Sequence, residues 1–295
     1  MNPMTSTTSP ELPNDKPQEA PAYDAVFFDL DGTLLPIDMP EFLGAYYQVL
    51  DVAAGRAGYD TTLFADALNA GMVSMGNHAP DCTNADAFWE VFYAHLFPQG
   101  ATAEQRQQAE RFIDDFYTHD FNLVGEGITP DPAAAQALHT LQAKGYPLFL
   151  CTMPLFPLQG VLSRLEWAGV DPAAFERITT YDSSTDIKPR EAYYHENVQL
   201  AGVAPERILM VGNDTGDDLS CLQLGMDAYL ITDHLIDRGN LDISTVKQGS
   251  LADFAAWVEA LPDCTSRTAF AWRERADALR LGQPQDRSWA GRDSR

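Results

Sequence analysis

The sequence predicts an α/β fold, a parallel sheet split after its first strand by an all-helical insert. Three observations carry this expectation. Ala25 to Phe28 is a short, continuously apolar run that stops in Asp29-Leu30-Asp31-Gly32, as a strand buried on both faces does at the edge of its sheet. Roughly 90 residues follow, an ordinary domain length, in which helical periodicity recurs with no convincing strand between. From Pro130 onward helices and strands alternate at the spacing of right-handed crossover units, which build parallel sheets.

Residues 1–22 are rich in Pro, Ser, Thr and Glu, carry little that could pack, and read as a disordered tail. Residues 23–36 open the α/β core, 37–127 form the helical domain, 128–262 complete the core and 263–295 are a C-terminal extension. Within the insert, periodicity predicts helices over about 40–54, 61–74, 85–96 and 103–119. Asn84, and Thr102 backed by Glu104 and Gln105, are helix-start signals. Gly125 and Gly127 interrupt the pattern as a linker would. In the second half, Asp131 before Pro132 opens a helix that stops at Gly145. Strands are expected over 146–151, 177–181, 207–211 and 227–232, and helices over 158–168, 191–201, 217–224 and 251–260. A further helix over 268–281 is expected in the extension, whose arginines read as solvated.

The 295 residues are 45% hydrophobic, enough for a proper core, and carry a formal net charge of −24 with a pI near 4.3. That acidity argues against binding nucleic acid or anionic lipid, both of which need basic patches. An anionic substrate would need local cations or a metal to enter such a field. Cys82, Cys151, Cys221 and Cys264 show neither zinc spacing nor a disulfide framework, which fits a reducing compartment. There is no apolar run long enough to span a bilayer and no signal-peptide pattern, so a cytoplasmic protein is expected.

In an open α/β sheet ligands gather at the carboxyl ends of the strands, so the chemistry is sought there. The first strand delivers Asp29 and Asp31, which alternate onto one side of the chain. The strand over 146–151 delivers Thr152. The next is followed by Lys188-Pro189 before a helix, and the strand over 207–211 by Gly212-Asn213-Asp214 with Asp217 and Asp218 beyond. Several carboxylates, a hydroxyl, an amide and a lysine form an inventory suited to phosphoryl transfer. A hard Mg²⁺ takes oxygen ligands, here Asp29, Asp214 and the Asp31 backbone carbonyl. Lys188 adds positive charge, Asp29 can attack, and Asp31 can move protons. Asn213 and Asp218 stand either as further ligands or as groups behind the metal.

The set Asp29-Leu30-Asp31-Gly32-Thr33, Thr152, Lys188-Pro189 and Gly212-Asn213-Asp214 through Asp218, in this order and each at a strand end, resembles the four motifs of the haloacid dehalogenase (HAD) superfamily. The helical insert directly after the first motif resembles the cap of that superfamily's group I. The resemblance implies a Rossmann-like core, an Asp29 nucleophile, an Asp31 acid/base, phosphate contacts from Thr152 and Lys188, and Mg²⁺ held partly by Asp214. Thr33 and Met153 join Thr152 and Lys188 as expected substrate contacts. Met153 and Arg190 depart from the residue types usual beside these motifs.

The reading that follows is a Mg²⁺-dependent phosphatase acting on a small phosphorylated metabolite, with no nucleic-acid or membrane partner. A silent binding protein on the same scaffold, a phosphomutase and a carbon–halogen hydrolase are the alternatives. The last has no need of a proton donor at Asp31. Asp38, Met39, Met75, Asn77 and His78 of the insert are candidates to face the site, while Met72 and Trp89 read as packing.

Overall fold

The computed structural model describes residues 23–79, 81–239 and 241–265. The expected tail over 1–22 and the expected helix over 268–281 lie outside the described residues. Six parallel strands form one sheet: β1 (Ala25–Phe28), β2 (Leu148–Leu150), β3 (Arg177–Ile178), β4 (Ile208–Gly212), β5 (Asp227–Ile231) and β6 (Lys247–Gly249), in the order β3-β2-β1-β4-β5-β6. From β1 the chain winds first through β2 to β3 and later through β4, β5 and β6 on the other side. The direction of winding therefore reverses between β1 and β4. Phe28 pairs with Leu150 on one flank and Val211 on the other, so β1 is buried in mid-sheet.

Alternation along β1 sorts the core. Val26 and Phe28 pack with Leu148, Leu150, Leu209 and Val211 on one face; Ala25 and Phe27 pack with Phe149, Ile208 and Met210 on the other. The first face is covered by α5 (Pro132–Ala143), α6 (Leu158–Trp167) and α8 (Leu251–Glu259), the second by α7 (Glu191–Ala201). Between β1 and α5 lie α1 (Met39–Arg56), α2 (Thr61–Met75), α3 (Asn84–Leu96) and α4 (Ala103–Thr118). Their aromatic residues Tyr46, Phe64, Phe88, Phe92 and Tyr117 continue the first core cluster. Where they meet Phe156 and Tyr181 of the core, a cavity of only about 20 Å³ remains. That is barely one water, and its lining is apolar.

Several expected elements differ in detail. The stretch over 217–224 is a 3-10 turn, Leu219–Leu224, rather than an α-helix. The strands expected over 146–151 and 177–181 are three and two residues long, although backbone bonds of Pro147 and Cys151 to β1 continue past the ends of the first. The edge strand β6, of sequence Lys-Gln-Gly, has no apolar signature and went unexpected. Thr102 caps α4 in a capping box with Gln105. At α3, however, the cap is Thr83 with Asp86, and Asn84 is the first helical residue. Among the described residues, no helix is long and apolar enough to cross a membrane, and all four cysteines are free.

Asn84 does something else. It is wholly buried. Its amide nitrogen donates to the carbonyls of Pro154 (3.2 Å) and Asp186 (3.1 Å), and its oxygen meets His78 Nε2 at 2.9 Å. One side chain thus ties the helical insert to two loops at the sheet's carboxyl end. Asn84→Ala leaves two buried carbonyls unpaired and is expected to lower stability by about 1–3 kcal/mol, read as a fall in the midpoint of urea unfolding.

Candidate active site

The carboxyl ends of β1 and β4 lie side by side, because the Asp29 amide donates to the Val211 carbonyl at 2.9 Å. Beyond it the chain turns at once through Gly32, whose φ of +78° favours glycine. A Cβ there would also stand 2.2 Å from Asn213 Nδ2. The Thr33 hydroxyl donates to Asn213 Oδ1 (3.1 Å), and Asn213 Nδ2 donates to the His234 carbonyl (2.6 Å). Asn213 therefore serves as an orienting amide between the first turn, β4 and the loop after β5. Thr33 is held by that bond.

Lys188 is the centre of the cluster. Its Nζ, 2% exposed as a residue, donates to Asp29 Oδ1 at 2.9 Å and Asp218 Oδ1 at 2.7 Å. The other Asp218 oxygen accepts the backbone amides of Asn213 and Asp214, both at 2.9 Å. The carboxylate can come this close to the strand only because residue 212 is glycine: a Cβ there would lie 2.2 Å from Asp218 Cγ. Burial pushes the Asp29 carboxyl up, Lys188 draws it back and Asp31 adds to the rise, leaving it above the ordinary range. Burial likewise lifts Asp218 to about 6 against the pull of Lys188. For Lys188, burial disfavours the charge but Asp218 and Asp29 outweigh it, so the ammonium is held well above its usual pKa.

The other expected carboxylates take other cations. Asp31 Oδ2 is bound by Arg164 Nη1 of α6. Asp214 accepts Arg238 Nε at 2.8 Å and the Gly216 amide at 2.7 Å, and Arg238 also reaches Asp217 at 3.0 Å. Burial works against the Asp214 charge, yet the Arg238 pair and two backbone amides hold its carboxyl below the usual range. Thr152 is completely buried. Its carbonyl accepts from Thr179 and from the Tyr193 hydroxyl, while its own hydroxyl has no partner among the described residues. Met153 beside it is half-buried.

Asp29, Asp31, Asp214 and Asp218 offer oxygen donors only, which suits Mg²⁺ chemically. Among the described residues, however, no three His, Cys, Asp or Glu side chains are gathered as a metal-binding group. Asp214 would have to exchange Arg238 for the ion. Of the insert candidates, Asp38 caps α1, Met75 is packed in the core, Asn77 bonds the Val73 carbonyl and His78 bonds Asn84. Met39 is partly buried against the core. None of these is placed beside the Asp29–Lys188 pair by a bond. Two residues were missed. Arg164 was findable as a charge on the apolar face of an expected helix, whereas Arg238 sits in a loop without periodicity and gave no signal.

Lys188→Met leaves Asp29 and Asp218 buried without their cation, a change that costs about 3–5 kcal/mol when the charges persist. Both carboxyls are already above their ordinary pKa. Their contribution to stability is therefore present below about 3.8 and lost as pH rises through the folded-state value, about 6 for Asp218. Removing Lys188 extends that loss to higher pH. The variant is expected to lose stability more steeply than the wild type as pH is raised past 6, measured by denaturant unfolding on both sides of that value.

The chain matches the family model of haloacid dehalogenase-like hydrolases over residues 23–225, from the start of the sheet to the end of the turn that carries Asp218. Among solved structures, it is similar to a 2-haloacid dehalogenase from Pseudomonas syringae pv. Tomato DC3000, with a TM-score of 0.53 and 18% identity, over 81% of this chain and 98% of that one. It is also similar to a predicted phosphoglycolate phosphatase from Haemophilus somnus 129PT (TM-score 0.48, 21% identity, 80% and 97% covered). A HAD phosphatase from Thermococcus onnurineus follows (TM-score 0.46, 20% identity, 80% and 97% covered). At 18% identity the likeness to the first of these is one of fold. No curated protein sequence matches the chain. With more than half its length inside the family model, and a parallel sheet whose strand ends bring Asp29, Lys188 and Asp218 together, the chain belongs to the haloacid dehalogenase-like hydrolases.

Proposed function

We propose that the protein is a Mg²⁺-dependent phosphatase that hydrolyses a small phosphorylated metabolite through an aspartyl-phosphate. The observation that carries this reading is the buried Asp29–Lys188–Asp218 cluster, with a second carboxylate, Asp31, two residues beyond the first. A nucleophilic carboxylate must be ionised, and Lys188 favours that form. The same ammonium offers charge to the phosphoryl oxygens, where catalysis of such transfers is mostly positioning and neutralisation.

In this reading an Asp29 oxygen attacks phosphorus and the phosphorus–ester oxygen bond breaks. The leaving oxygen takes a proton from Asp31. Water then attacks the aspartyl-phosphate, Asp31 takes its proton, and inorganic phosphate leaves with Asp29 restored. The Thr152 hydroxyl, buried and with no partner among the described residues, would donate to a phosphoryl oxygen. Asp29, Asp214 and the Asp31 carbonyl would hold Mg²⁺, which when bound adds charge neutralisation at the phosphoryl group. Asn213 holds the turn, and Asp218 holds Lys188.

The purified protein is expected to hydrolyse p-nitrophenyl phosphate with Mg²⁺ and to stop on addition of EDTA. Asp29→Asn is expected to lower kcat by at least about a thousandfold, as losing a covalent nucleophile does; retained activity would refute that role. Turnover of 2-haloacids in place of any phosphate ester would overturn the phosphatase reading. Arg238→Ala frees Asp214 from a half-exposed ion pair worth at most about 1 kcal/mol. The Mg²⁺ concentration for half-maximal activity should therefore fall about two- to fivefold.

A further inference from the structure

Arg164 is an expensive residue where it stands. It lies on the buried face of α6 between Val161 and Leu165, and none of its surface is exposed. A cation in such a place persists only when paired and hydrogen-bonded. Its Nη1 donates to Asp31 Oδ2, its Nε donates to the Gly160 carbonyl at 3.1 Å, and its guanidinium carbon sits 4.1 Å from the centre of the Phe156 ring. Phe156 in turn packs against Tyr46, Tyr117 and Phe121 of the insert region. The guanidinium is thus fixed by a carbonyl, a ring and a carboxylate. The pair is nevertheless one-sided: Asp31 Oδ1 and Arg164 Nη2 are both buried with no hydrogen-bond partner among the described residues.

We propose that Arg164 is the positioning residue for Asp31, holding Oδ2 so that Oδ1 is the oxygen that gives and takes the proton. This rests on the phosphatase reading above. Guanidinium suits the task because it is a donor only, has no acceptor to draw the carboxyl's proton, and stays charged. With Oδ2 fixed as acceptor, a protonated Asp31 carries its hydrogen on Oδ1. The remaining freedom of the carboxyl, a flip that would swap its oxygens, is removed by the same bond. A lone ion pair made only for stability would have no reason to leave one carboxyl oxygen buried and unmatched.

The dependence of rate on the leaving group tests this. General acid help contributes about 10²–10⁴-fold and matters most where the departing oxygen is a strong base. Steady-state kcat and KM are measured for a series from 2,4-dinitrophenyl phosphate through phenyl phosphate to simple alkyl phosphates. For Arg164→Met, kcat is expected to fall at least about a hundredfold more on alkyl than on dinitrophenyl phosphate, with KM little changed. Arg164→Lys, which keeps the charge but not the fork, should fall between Arg164→Met and the wild type. If Arg164→Met does not fold, Arg164→Lys carries the same comparison. An equal fall across the series, or no fall, in an active family of variants overturns the positioning role and leaves the phosphatase reading intact. A wild type inert toward the entire series overturns both.

Discussion

The interaction on which the site depends is the ammonium of Lys188 shared by Asp29 and Asp218 in the interior of the protein. Desolvation pushes the pKa of both carboxyls up, and the ammonium pulls them back toward the ionised form. Burial likewise disfavours the lysine's charge, which Asp218 and Asp29 support. Each charge is tolerated because of the others, and the backbone is shaped to bring them together. Residue 212 must be glycine for Asp218 to approach, and the amides of Asn213 and Asp214 complete the carboxylate's bonds. Such a cluster is a poor way to gain stability, because apolar replacement of buried ion pairs is often neutral or better.

The sheet supplies the other constraint. Because the winding reverses between β1 and β4, no crossover helix closes over the gap at their carboxyl ends, and groups from both strands reach one place. The loops after β2 and β3 bring Thr152 and Lys188 alongside. Through Asn84, α3 is tied to both of those loops, so the insert and the strand ends are registered by one amide. The aromatic contacts from Phe156 to the insert act in the same direction.

Much of this was legible in the residues. Apolar strands ending in Asp, Thr and Gly-Asn-Asp identified where the sheet's edge lay, and the gap between β1 and α5 marked the insert. What stayed hidden was of two kinds. Short or polar backbone pairing, as in β6 and the 3-10 turn over Leu219–Leu224, leaves no periodic trace, because its stability comes from neighbours rather than from its own pattern. Long-range pairing of charges was equally silent. That Asp31 meets Arg164 and Asp214 meets Arg238 depends on chain separations of 133 and 24 residues, which spacing cannot encode. Asn84 shows the same limit: read locally it starts a helix, whereas its burial makes it a bridge.

The cations at the heart of the protein have a kinetic consequence. Lys188 and Arg164 are shut away from solvent inside a chain of net charge −24. The net charge repels a diffusing anion, and these two buried cations act on one only at close range. Steering from a distance, which speeds many enzymes to substrates of opposite charge, would work in reverse for an anion. Added salt screens the repulsion and eases encounter.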